Sequence, residues 1–476
     1  MLAALCVLLV SAVAASGAWG ANGGSSSPTS AAPKDPVPPD QASTSTRGVT
    51  STSINVVFPV VSLGSLAGKL GFAETAEFGE QKKAIQLFVN HINQTGGING
   101  RKINPIIATF TPENTTEMRA LCKDWTEGSP AAFVVLDGVG DWSNTNELCV
   151  AQEGKTPFVG QWTTVSNWTT DGSPYLWWTG PSQTQILQAV VNWGLSTGLL
   201  GAKHKVGVIV GDQASDQLAL HQYLLPDLKR AGVNPVVEEV ADEPTESATT
   251  ETEAPLAVQK LKSEGVSTMI PLLSFNAFTP ILQAEMAQSY FPHLMLSDYE
   301  DSIESSLGLM APSGPDGKAL TGQEGLTTFT LGGLDGPQPQ SEGGYDPGVR
   351  VCWNLWHAAY PQTPPGNIND YIVEQGPVQG WCQEINLFAT AAKNAGHDLN
   401  RRTFVEAMSR IKNYTGGYSL KLSYGPDKFS GPTEFQVVKL HENTPPSSLC
   451  RDQPNQPLVH TCWVVEKPYQ PLPPVG

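Results

Sequence analysis

One pattern constrains this chain more than any other: from Ile54 onward, short β-branched runs alternate with stretches in which apolar residues recur at helical spacing. The first run, Ile54-Asn-Val-Val-Phe-Pro-Val-Val, has the near-continuous apolar character of a strand covered on both faces of a parallel sheet. A Gly-rich loop over residues 62–71 follows it. Between Glu77 and Asn93, Phe78, Ala84, Ile85, Phe88, Val89 and Ile92 then mark one face of a helix, and Gly96-Gly97 supplies the left-handed residue that ends it. Further strands are expected at 103–110, 132–136, 157–160, 205–210, 233–240, 266–273 and 293–296, with helices at 118–125, 184–195, 218–231, 255–263 and 279–287. Strand and helix alternating at this interval require right-handed βαβ crossovers, so the expected class is α/β with mostly parallel sheets. The 476 residues are about three times a modal domain, which calls for more than one lobe.

Outside that pattern the composition is biased. Met1 to Ala18 carry no charge and pass from an apolar run to small residues at Ala14, Ala15, Ser16 and Gly17. Residues 1–21 therefore read as a secretory signal peptide lacking the usual basic start, or, if retained, as an N-terminal anchor. From Asn22 to Ser53, 18 of 32 residues are Ser, Thr or Pro and none is aromatic, too little apolar surface to offset ordering, so a disordered tether is expected. From Glu238 to Glu253, seven of sixteen residues are acidic and none is basic, which reads as a solvated loop. Residues 311–348 are Gly- and Pro-rich and expected to be a surface connection; the chain beyond Glu442 is Pro-rich, with 472–476 a tail.

Lys+Arg 28 against Asp+Glu 45 leaves a net charge of −17, which repels phosphate backbones and excludes nucleic acid as an expected partner. Beyond Cys6, the cysteines fall into three local couples, and in an exported chain the pairings Cys122–Cys149, Cys352–Cys382 and Cys450–Cys462 are expected. Spacing alone also admits other pairings and buried free thiols. There is no Cys-x-x-Cys and no closely spaced His pair, so zinc and thioredoxin chemistry lack support. Phosphate-loop and dinucleotide fingerprints are missing too, and no cofactor or metal is expected. Gly194-Leu-Ser196-Thr-Gly198 matches the Gly-x-Ser-x-Gly hydrolase pattern, but a nucleophile elbow needs a strand before it and a helix after it. Ile186, Leu187, Val190, Val191 and Trp193 precede it at helical spacing, so a helix end is expected and a Ser196 hydrolase is the remote alternative.

Asn90-His-Ile-Asn-Gln-Thr-Gly-Gly-Ile-Asn-Gly-Arg-Lys-Ile103 resembles the branched-chain amino-acid-binding family of periplasmic solute-binding proteins. Thr156-Pro-Phe-Val-Gly-Gln-Trp-Thr-Thr164, Val206 to Asp212 and Asn413 to Leu440 resemble later segments of that family in the same order, so the likeness spans about 54–440. It implies two Rossmann-like lobes with parallel sheets joined by a multi-strand hinge, lobe one being 54–181 plus 324–412 and lobe two 182–323 plus 413–471. It also implies a small solute, an amino acid or related amine or amide, held between the lobes and passed to an ABC permease, binding rather than turnover being the function. A ligand sensor of the same fold is the other implied role. By position, the family's first-lobe contacts fall on Trp142, Ser143, Trp162, Thr163 and Thr164, and its second-lobe contacts on Asp212, Phe275 and Asp298, the last as partner of an α-ammonium. The sequence departs from the family at Asp141-Trp142-Ser143, where small hydroxyls are usual. The two indoles of Trp142 and Trp162 and the extra carboxylate of Asp141 suit a cationic or apolar solute, held by stacking and by cation–π contact of ~0.5–2 kcal/mol.

Overall fold

The computed structural model describes residues 35–61, 81–110, 115–137, 146–161, 166–243, 246–299, 322–329, 347–361, 376–442 and 461–474. The signal segment, the Gly-rich loop and most of 311–348 lie outside them. Among the described residues there are two sheets. The first joins β1 (Ser53–Val61), β2 (Lys102–Phe110), β3 (Val134–Asp137), β4 (Phe158–Gly160) and β5 (Leu176–Trp178) in the order β2-β1-β3-β4-β5, all parallel. The second joins β6 (Val206–Gly211), β7 (Val236–Val240), β8 (Thr268–Leu272), β9 (His293–Ser297), β10 (Glu324–Thr327), β11 (Glu434–Glu442) and β12 (Thr461–Pro471) in the order β12-β11-β10-β9-β8-β6-β7. It is parallel from β7 to β10 and antiparallel at β11 and β12.

Helices α1 (Gln81–Gln94) and α2 (Thr115–Glu127) accompany the first sheet, and α3 (Gln183–Thr197), α4 (Ser247–Ser263) and α5 (Phe275–Ala287) the second. A helix over Ala214–Leu218 and Leu225–Arg230, interrupted by a π turn at Ala219–Leu224, lies between β6 and β7. Then α6 (Pro347–Ala359), α7 (Gly376–Asn394) and α8 (Arg401–Ser409) return to the first lobe, where Trp356, Trp381, Phe388 and Phe404 enter the same core as Phe58, Phe133 and Phe158. The central strands bury both faces, as every residue of β6 and β8 shows, which is why they read as continuous apolar runs. Two of the expected disulfides are present: Cys122–Cys149 with Cα atoms 6.3 Å apart and Cys352–Cys382 at 5.9 Å. Cys450 lies outside the described residues. Among them, no helix is long and apolar enough to cross a membrane.

Three crossovers link the lobes: Thr179–Ser182, the residues after β10, and the segment between α8 and β11. They are laced together. Leu420 N–H donates to Thr328 O (2.7 Å), Ser419 Oγ–H to Thr179 O (3.0 Å), Ser430 Oγ–H to Gly180 O (2.9 Å) and Gln436 Nε2–H to Phe329 O (3.0 Å).

Several expectations are corrected. The tether is ordered from Pro36 on: Ala42 is buried, its carbonyl accepts from Arg402 Nε (2.9 Å), Ser45 O accepts Arg401 N–H (3.0 Å), and Ser43 N–H donates to the Tyr175 hydroxyl (2.7 Å). A chain with few apolar groups is held here through its backbone. Gly48, with φ of 82°, passes so close to the Phe133 backbone that a Cβ would lie 2.3 Å from its nitrogen. The acidic stretch 238–253 is not a loop: Glu238 and Glu239 belong to β7, Asp242 is fully buried, and Glu251 and Glu253 lie in α4. That helix starts before Pro255, pinned by Ala241 N–H donating to Glu253 Oε2 (2.8 Å) and Thr250 Oγ–H to Ala241 O (2.8 Å). Glu324–Thr327 pairs with β9 and β11 and so belongs to the second sheet, not to lobe one or to a surface connection. Leu422, Tyr424 and Phe429, assigned by sequence to lobe two, pack in the first lobe's core. Leu472, expected in a free tail, is buried and donates its N–H to Thr433 O (3.0 Å).

Candidate functional site

Open α/β sheets leave loops and helix N-termini at the carboxyl ends of their strands, where a solute can meet them. In the second lobe this edge is acidic. Gly211 ends β6, and a Cβ there would lie 2.5 Å from Asp216 Oδ2 and 2.7 Å from Asp242 Oδ2, so only glycine lets both carboxylates close over it. Asp242 accepts from Ser274 N–H (2.6 Å), Ser274 Oγ–H (2.5 Å) and Ala277 N–H (3.1 Å), joining the end of β7 to the first turn of α5. The exposed Asp212 accepts the Asp242 N–H at 3.0 Å. Burial, then the charges of Asp212 and Glu246, raise the carboxyl pKa of Glu243. None of the residues directly following β6, β7, β8 and β9 is Lys or Arg.

Asp298 follows β9 and is 2% exposed. Its Oδ2 accepts both Thr328 N–H (2.5 Å) and Thr328 Oγ–H (2.6 Å), which ties this carboxylate to the crossover after β10. Burial pushes its pKa up to about 6, against the opposing pull of hydrogen bonds from Thr328 and Thr327. Beside it, the Tyr299 hydroxyl donates to Asp216 Oδ1 (2.7 Å) and accepts from Gln183 Nε2 (3.1 Å) at the start of α3.

In the first lobe, Asp137 ends β3 and Gln161 follows β4, and both are buried. Helix α7 lies over them: Gly380 abuts the Gln161 amide, and Trp381 Nε1–H donates to Gln81 Oε1 (3.4 Å) at the start of α1.

Of the residues expected from sequence, Asp212, Phe275 and Asp298 all stand at the carboxyl edge of the second sheet. Phe275 opens α5; its side chain lies outside the described ones. Trp142, Ser143, Trp162, Thr163 and Thr164 lie outside the described residues. Asp216, Asp242, Gln161 and Glu384 were not anticipated; for Glu384 the available signal was a carboxylate inside the apolar stretch Trp381 to Phe388. Ser196 sits in the last turn of α3, exposed, with its Oγ–H bonded to Trp193 O (2.8 Å) and Gly198 capping the helix. That is not an elbow. A Ser196→Ala variant is expected to change stability by less than about 0.5 kcal/mol in urea titration and to leave solute affinity unaltered.

A family model described as periplasmic binding protein matches residues 61–311, just over half of the chain. No curated protein sequence matches. Solved structures of similar fold include a fatty acid ABC transporter substrate-binding protein from Thermomonospora curvata, at TM-score 0.62 and 16% identity, covering 89% of this chain and 93% of that one. Another is a branched chain amino acid ABC transporter from Thermus thermophilus with bound valine, at TM-score 0.60 and 12% identity, covering 82% and 94%. A third is a solute binding protein of an ABC transporter from Rhodopseudomonas palustris BisB5 in complex with 3,4-dihydroxy benzoic acid, at 0.58 and 14%, covering 87% and 96%. With its two parallel-sheet lobes and laced crossovers, this chain belongs to the periplasmic binding protein family, the extracytoplasmic solute-binding proteins of type I fold.

Proposed function

We propose that the protein captures a small polar solute, an amino acid or a related amine or amide, between its lobes and presents it to an ABC permease in the membrane. The observation that carries this reading is the joining of a parallel and a mostly parallel sheet by three crossovers hydrogen-bonded to one another, a hinge about which two lobes can close. Trp142, Ser143, Trp162, Thr163 and Thr164 would meet the solute from the first lobe, and Asp212, Phe275 and Asp298 from the second. Structures of this fold are described with valine, with a dihydroxybenzoic acid and as a fatty acid carrier, so the fold leaves the ligand open. An acidic edge with no Lys or Arg directly after its parallel strands favours a solute bearing an ammonium. Buried disulfides suit an oxidising compartment outside the cytoplasm, reached through the N-terminal segment as signal or anchor. No bond making or breaking is assigned to the site.

A thermal-shift screen of amino acids, amines, amides and carboxylic acids tests this. A true ligand at about 100 times its dissociation constant stabilises by about 2.7 kcal/mol. Failure of every solute to move the midpoint would overturn the reading.

A further inference from the structure

Glu384 interrupts the apolar face of α7, where its neighbours Trp381, Ile385 and Phe388 are fully buried. The Glu384 carboxyl is itself fully buried, and neither oxygen has a hydrogen-bond partner among the described residues. It does not stand alone. One turn earlier, Gly380 meets Gln161 so closely that a Cβ would lie 2.4 Å from the Gln161 Oε1. Both polar atoms of that amide are buried without a partner, as is Gln81 Nε2 on the far side of Trp381. Asp137, at the end of β3, adds a second carboxyl. From the crossover segment, Tyr424 donates its hydroxyl to Trp178 O (3.0 Å) and Tyr414 to Gln383 O (3.3 Å). Among the described residues, Asp137, Tyr424 and Tyr414 are the titratable groups around Glu384, and none of these three is a cation.

An ionised carboxylate with no partner in a low-dielectric site costs several kcal/mol, so Glu384 holds its proton; burial first, and the charge of Asp137 second, push its pKa well above the usual carboxylate range. Among the described residues, no positive charge with several N–H donors faces the Glu384 carboxyl. An ammonium or amidinium supplies both, donating to the Glu384 carboxylate and to Gln161 Oε1. A fatty or aromatic carboxylate would instead bring another negative group beside Asp137.

We infer that the first lobe takes the ammonium or amidinium end of the solute at the carboxyl ends of β3 and β4, with Glu384 as its counter-ion. This rests on the solute-binding reading and names the solute class within it. On binding, the Glu384 O–H bond breaks, its proton passes to the buffer, and the carboxylate pairs with the N–H groups of the incoming cation: one proton leaves for one cation bound.

Isothermal titration of the full chain decides the matter, with butylammonium, putrescine and leucine as ammonium probes and octanoate and 3,4-dihydroxybenzoate as anionic ones. The expected result is binding of at least one ammonium probe, with affinity rising by up to about tenfold per pH unit above the titration of Asp298, for as long as Glu384 is protonated in the free protein. Up to one proton is released per ligand, read from the dependence of the heat on the ionisation enthalpy of the buffer, a measurement that needs no variant. Glu384→Gln, isosteric with the protonated acid, abolishes the pH dependence and weakens binding at least about tenfold. Binding of the anionic probes alone, ammonium binding without proton release, or unchanged binding by E384Q overturns the inference while leaving a solute-binding protein. Failure of every probe removes the inference together with the reading beneath it.

Discussion

Replacing Trp381 with alanine is expected to destabilise the protein by about 3–5 kcal/mol, seen as a lower urea midpoint with little change of slope. Trp381 is fully buried, packs edge-on against Phe58 of β1 at 5.7 Å between centroids, and reaches Gln81 of α1 through its indole N–H. Truncation leaves a cavity where sheet, α1 and α7 meet and strips Gln81 Oε1 of its donor. Helix α7 cannot relax freely into that space, because Gln379 Nε2 is bonded to Gly417 O (3.1 Å), and Gln383 to Ser419 Oγ (2.9 Å), in the crossover segment. The loss is therefore expected at the upper part of the range. The exposed Leu256, replaced by alanine, should change the midpoint by less than about 0.5 kcal/mol.

Trp381 also marks how far the sequence could be read. Its helix has strong apolar periodicity, yet nothing local says which sheet it covers, and the assignment came only from similarity to a family. Strands β1 to β4 and β6 to β9 and the longer helices between them were legible because each carries its own period and its own Gly or Ser punctuation, such as the Ser182–Gln185 capping box and the Gly198 cap of α3. The missed strands lacked such a signal. β5 is three residues long, Leu176-Trp-Trp178, and β10 is Glu-Gly-Leu-Thr, whose place in the sheet is set by β9 and β11 on either side rather than by its own propensity. The segment 36–53 was unreadable for a related reason: its order comes from backbone groups meeting Arg401, Arg402 and Tyr175, residues far away in the sequence.

At the site, the strand ends were legible and the chemistry was not. The family resemblance points to Asp212, Phe275 and Asp298, and these share one edge because successive parallel strands end on the same side. The resemblance could not tell that Asp298 faces Thr328 across the crossover, nor that Asp242, placed by sequence in a solvated loop, is fully buried and caps α5. Burial of a carboxylate is a tertiary property; Glu243, Glu285, Asp298 and Glu384 all have pKa values raised by it, and their local sequences share no feature.

Asp298 gives the second large effect, and it is one of pH. Its folded pKa of about 6 lies above the ordinary 3.8, so between these values the folded chain keeps a proton that the unfolded chain has released. Stability from this group is full below about pH 3.8 and lost as pH rises through 6, a fall of about 3 kcal/mol at ~1.36 kcal/mol per pKa unit. Glu285 and Glu384, also raised by burial, add changes of the same sign. The measurement is therefore a difference: urea stability of the wild type minus that of Asp298→Asn, across pH, is expected to drop by about 3 kcal/mol from pH 3.5 to 7. A flat difference would mean that the Thr328 hydrogen bonds already offset burial. Repeating the series with a saturating ammonium ligand separates two roles for the residue. A cation paired with Asp298 draws its pKa back down and shrinks the drop, whereas a carboxylate that serves only to hold the crossover to β9 keeps the drop unchanged.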